Sequence, residues 1–108
     1  MAFDITKLQL SLQTGAFNLW TYDTTDATGT VDGTDYFAGV SAPALTSKGM
    51  NVGDLIYVRI WTTSVPATTA AMNAVNPADA GLYVVRAIDA DGNATTAAET
   101  ALTVAAGA

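Results

Sequence analysis

The chain has no cysteine and no histidine, and it is poor in charge of either sign. Without cysteine there is no disulfide framework and no thiolate chemistry. Without histidine the commonest general base and the usual transition-metal ligand are both missing. Only four lysines and arginines stand against ten aspartates and glutamates, a net charge of -6 at pH 7. Phosphate therefore repels the chain, which argues against nucleic-acid binding. No apolar run is long enough to span a membrane, and the N-terminus lacks the basic and apolar segments of a signal peptide, so neither a membrane role nor ordinary secretion is expected. No GxGxxG, GxxxxGK(S/T) or GxSxG motif occurs, and no catalytic residue, metal site or cofactor is expected.

What is present is small and neutral. Charged residues make up 13% of the 108 positions, about half the usual share. Half of the residues are hydrophobic by type, but 21 of them are alanine, so the core is modest for a single domain. A scarcity of lysine and glutamate is a feature of surfaces that become covered by a partner, because long charged side chains are costly to order and desolvate. A threonine-rich, well-solvated β surface has the same composition.

The strongest local pattern is Asn51–Trp61. Ile56, Val58 and Ile60 alternate with Leu55, Tyr57, Arg59 and Trp61 behind a Val52-Gly53-Asp54 turn. Leu82–Ile88 repeats the type, and each run carries one arginine, Arg59 and Arg86, so residues 52–61 and 81–89 are predicted to be neighbouring central strands. Residues 3–14 alternate Leu8, Leu10 and Leu12 with Lys7, Gln9, Ser11 and Gln13, a half-buried strand or arm (1–14) able to dock on a neighbour. Thr14-Gly15 leads into Ala16–Tyr22 as a hairpin, which puts Trp20 and Tyr22 on one face. Residues 23–49 form a long connection, with a helical turn capped by Asp35 through Tyr36 and Phe37. Residues 62–80 read as an exposed excursion in which 67–75 could make two helical turns. Asp89–Asn93 is a tight turn, Thr95–Val104 a returning strand that completes an 89–104 hairpin, and 105–108 a tail. The expected fold is mainly β, a small antiparallel sandwich or partly open barrel with long loops.

The acidic residues give little chemistry. Asp89, Asp91, Asn93 and Glu99 miss the glycine and glutamate spacing of a calcium loop. Asp23, Asp26, Asp32 and Asp35 lie in a Thr/Gly-rich loop and are expected to be solvated, with a weak Ca²⁺ site as the alternative. Asp54 is read as a turn former, and the two arginines as structural partners of nearby aspartates.

One set of motifs resembles a known group: Met1-Ala-Phe-Asp4, Leu19-Trp20-x-Tyr22-x-Thr24, Val31-Asp32 with Tyr36-Phe37, Met50-x-Val52-Gly-Asp-Leu-Ile-Tyr-Val58, and Gly81-x-Tyr83-Val-Val85. Their order is similar to small head structural proteins of tailed bacteriophages, of the capsid decoration (cement) or head-fibre type. The resemblance implies a virion protein on the outer capsid surface, assembled in the host cytoplasm. It would bind the major capsid protein as a homo-oligomer, a trimer or dimer, without nucleic acid or membrane. Contact is expected through Phe3, Ile5, Leu8, Leu10, Tyr36 and Phe37, the apolar groups on segments least able to bury themselves; alternatively, they complete the chain's own core. A head-fibre or tail-fibre module would instead bind a host glycan through Trp20, Tyr22 or Trp61, and exposed aromatics would favour it.

Overall fold

The structure, a computed structural model, describes residues 3–68, 70–71 and 77–98, with Ala98 in backbone only. It is mainly β: one open five-stranded sheet in the order β1-β2-β3-β4-β5, from β1 (Leu8–Gln13), β2 (Asn18–Thr24), β3 (Leu55–Ile60), β4 (Asp79–Ile88) and β5 (Ala94–Ala98). Neither a second sheet nor barrel closure is present among the described residues. The sheet is also mixed rather than antiparallel, because β2 and β3 run parallel, Leu19 beside Leu55 through Thr24 beside Ile60. The 52–61 and 81–89 strands are adjacent and antiparallel as expected, Ile56 opposite Tyr83. The part of the 89–104 hairpin beyond Ala98, the 105–108 tail, and residues 69 and 72–75 of the 67–75 stretch lie outside the described residues.

Local chemistry explains the departures from simple alternation. The N-terminal stretch is not strand throughout, because the Asp4 carboxylate accepts hydrogen bonds from Thr6 N at 3.0 Å and Thr6 Oγ1 at 2.6 Å. That cap turns Ile5–Lys7 into one 3-10 turn and holds the Asp4 carboxyl below its usual range. A bulge between Leu10 and Leu12 then shifts the register against β2. The helical turn of the long connection is not at Asp35–Phe37 but at α1 (Thr28–Val31). Asp35 instead takes a positive φ of 58°, its backbone N–H donating to Thr95 Oγ1 at 2.8 Å.

Parallel neighbours cannot be joined by a turn, so residues 25–54 must cross from the end of β2 to the start of β3. This connection lies over one face of the sheet and supplies its second layer. Val31, Phe37, Val40 and Met50 are fully buried in it, against Leu8, Trp20, Tyr22, Ile56, Val58, Ile60, Tyr83, Val85 and Ala94 from the strands. Its backbone is tied to the sheet at several points. Phe37 and Ala94 exchange N–H to C=O hydrogen bonds at 3.3 and 2.9 Å, Ser41 N–H donates to Gly92 O at 3.1 Å, and Gly53 N–H to Val85 O at 2.8 Å. The Asp89–Asn93 turn forms as expected, with Asp89 Oδ1 accepting from Asp91 N and Asn93 N at 2.9 Å each.

Gly92 shows how closely the two layers meet. It has a φ of 88°, and a Cβ there would stand 2.0 Å from Ser41 O. Gly15 has a similar φ of 89° but open space around it. Chemical denaturation should therefore separate the two: Gly15→Ala costs about 1–2 kcal/mol, the left-handed strain alone, whereas Gly92→Ala costs more because the connection must also lift off the turn.

Candidate functional site

The residues predicted to make contact mostly converge inside the molecule. Leu8 and Phe37 are fully buried, Phe3, Ile5 and Tyr36 pack against the core at its margin, and of the six only Leu10 is largely exposed, at 46%. The physical reason is aromatic packing between the N-terminal segment and the crossover. Phe3, Tyr22, Tyr36 and Phe37 form a cluster with ring centroids 5.1–6.1 Å apart, mostly edge to face.

A directed chain of hydrogen bonds closes this cluster. Tyr36 OH donates to Asp26 Oδ2 at 2.5 Å. Its single proton being used there, Tyr36 accepts from Tyr22 OH at 2.9 Å, and Tyr22 in turn accepts from Asp4 N–H at 3.2 Å. Asp26, expected to be solvated, is instead 3% exposed. Burial, then the bond to Asp26, holds the Tyr36 hydroxyl protonated far above the ordinary tyrosine range, and burial raises Tyr83 as well. Among the described residues no group of three acidic side chains could hold a metal ion.

Asp54 is more than a turn former. It is 2% exposed. Its Oδ1 accepts from Asn18 N at 3.0 Å, and its Oδ2 from Asn51 N at 2.9 Å, Trp20 Nε1 at 3.0 Å and Asn18 Nδ2 at 3.4 Å. A buried carboxylate is tolerable when its lone pairs are filled in this way. One side chain thereby ties the β1–β2 hairpin to the entry of β3, which Asp54 immediately precedes. It borders a cleft of about 230 Å³ lined by Gln13, Phe17, Asn18, Asn51 and Val52, but its oxygens are already occupied.

Arg59 does pair with an aspartate. Its Nε and Nη2 reach Asp23 Oδ1 and Oδ2 at 2.7 and 2.9 Å, while Trp61 Nε1 donates to Asp23 Oδ1 at 3.1 Å. This is the one salt bridge among the described residues; Arg86 is exposed. The aromatics considered for glycan binding are enclosed: Trp20 and Tyr22 are 1% exposed and Trp61 4%.

Sequence reasoning singled out Leu10 but passed over other apolar groups that remain on the surface, among them Leu12 at 54%, Phe17 at 38% and Tyr57 at 39% exposed. The signal was present, since Leu12 belongs to the same alternating run. What was missing was the knowledge that the crossover covers only one face and, along β1, buries only Leu8. No known family model, curated protein or solved structure matches the chain.

Two measurements check this account. Asp54→Ala leaves buried N–H groups of the hairpin and of Trp20 without acceptors, and should cost at least about 3 kcal/mol in denaturant melts. Tyr36 and Tyr83 should ionise late in an alkaline absorbance titration, and Tyr36→Phe should remove one of the late steps. The folded state binds these protons more tightly than the unfolded chain. Their stabilisation is therefore complete below the ordinary tyrosine value of about 10 and is lost as pH climbs above it.

Proposed function

We propose that the chain is a virion structural protein that binds the outer surface of a tailed-bacteriophage capsid and stabilises it, with the major capsid protein as its partner. The observation that carries this reading is the free flank of β1. One side of β1 pairs with β2; on the other, among the described residues, only Lys48 Nζ reaches the strand, donating to Leu8 O at 2.7 Å. Gln9 to Gln13 are all exposed, Leu10 and Leu12 included. Lys48 caps only the first residue of this edge and the bulge interrupts it at one point, and an edge that leaves other backbone groups unpaired beside apolar side chains is suited to strand addition or packing against another protein.

The composition supports the same reading. An acidic surface suits a position outside the shell, away from packaged DNA, and a scarcity of lysine and glutamate suits a molecule whose surface is shared with neighbours. The role is mechanical rather than catalytic. Host-glycan recognition is the weaker reading, because Trp20, Tyr22 and Trp61 are enclosed and their polar atoms are bonded within the chain.

The test uses heads assembled from the major capsid protein of the phage that encodes this chain. Added protein should sediment with the heads saturably and in fixed ratio, and decorated heads should resist a higher temperature and a harsher osmotic shock than bare ones. Leu10→Asp should weaken binding by roughly tenfold or more, about 1.4 kcal/mol per tenfold step, with an unchanged circular dichroism spectrum. No saturable binding, or equal resistance of bare and decorated heads, would overturn the proposal.

A further inference from the structure

The crossover covers one face of the sheet, and the other face carries one wholly aliphatic cross-strand row beside a second that mixes polar and apolar residues. Leu12, Leu19, Leu55, Val84 and Ala97 stand in register across all five strands, and Gln9, Thr21, Tyr57 and Leu82 across the first four. Leu12 and Tyr57 are exposed, and Leu19, Leu55, Leu82 and Val84 are half-buried. Among the described residues no helix or strand is layered over them. A sheet face left in water normally alternates to polar residues at these positions, so the pattern is that of a sheet covered on both sides.

Charge narrows what the cover is. The face ends at Asp23, Arg59 and Ala80, in register across β2, β3 and β4. There the two ionised groups neutralise each other through two hydrogen bonds. Beyond Val84 the same strand carries exposed Arg86, so a molecule of net charge -6 presents here a flat, largely aliphatic surface with no net negative charge. Two copies, which repel each other elsewhere, can meet there with least repulsion. Size fits as well. Five strands about 4.8 Å apart and six residues long at about 3.3 Å each give roughly 500 Å² in plan. Side-chain relief adds to that figure, which brings it to the roughly 600 Å² per partner of the smaller specific interfaces.

We infer that two copies of the chain pack these open faces together about a two-fold axis, each supplying the sheet the other lacks, so that the sandwich is completed between molecules. Tyr57, in the middle of the central strand, then lies near the axis and faces its own copy. The inference does not rest on the capsid reading, because it uses the face of the sheet and not the edge of β1. Leu12 stands at the corner between the two surfaces and is left unaltered in the test.

Sedimentation velocity and light scattering on the full chain, without capsids and over a concentration series, should show a reversible dimer of twice the 11.1 kDa chain mass. Tyr57→Glu should be monomeric at concentrations where the parent chain is dimeric, with the same circular dichroism and the melting temperature of the parent chain diluted below its dimer range. Tyr57→Lys should behave alike, and mixing the two variants should restore the dimer. If a charge at this position lowers the melting temperature, Tyr57→Thr keeps strand propensity and removes the ring, and it too must lose the dimer. Leu10→Asp should dimerise normally. A monomer at every concentration, a trimer, or a dimer indifferent to all three Tyr57 variants would overturn the inference, and a dimer broken by Leu10→Asp instead would move the contact to the strand edge and overturn it equally.

Discussion

Two adjacent strands that run the same way dictate the rest of this molecule. Because β2 and β3 are parallel, the chain must travel the full length of the sheet between them, and it does so without a long helix. The connection becomes the second layer, held by side chains that point down, Val31, Phe37, Val40 and Met50, and by backbone bonds to β4 and β5. Its two ends are fastened by carboxylates. Asp26 near the start receives Tyr36, and Asp54 at the finish gathers donors from the neighbouring hairpin. Neither carboxylate has a cationic partner among the described residues, so both are made tolerable by hydrogen bonds alone.

The elements were far more legible in the sequence than their arrangement. Period-2 alternation located β3 and β4, because Ile56, Val58, Tyr83 and Val85 alternate in burial as they do in hydrophobicity. The Asp91-Gly92 turn was legible because its positive φ demands glycine. Strand direction was not, since alternation reads the same both ways. The role of Asp54 was hidden for a different reason. Its donors on Asn18 and Trp20 lie 36 and 34 positions away, beyond anything spacing can show. Phe3, Tyr36 and Phe37 looked surplus to a small core because each sits on a weakly patterned segment. They are instead brought together by tertiary packing, which also draws Asp26 out of solvent.

The two faces of the sheet follow different rules. On the covered face the largest side chains, Trp20 and Tyr22, have their polar tips satisfied by Asp54 and Tyr36, which lets aromatic bulk fill the interior without orphaned donors. On the other, an aliphatic row stands beside a mixed one, and the one ion pair among the described residues carries no net charge.

The order in which contacts can form is a consequence of that parallel pair. Pairing of β1 with β2, and of β4 with β5, closes short loops, so each hairpin can form soon after collapse begins. Joining β2 to β3 must wait for a far longer loop to close, bringing Asn18 to Asp54 across 36 positions. The loss of chain entropy at that step precedes the gain from the crossover's buried side chains, which makes it the slow event of folding. Until it is complete, the inward-facing edges of both hairpins and the unburied Trp20 stand open, and that interval is when the nascent chain is most exposed to mispairing with its neighbours.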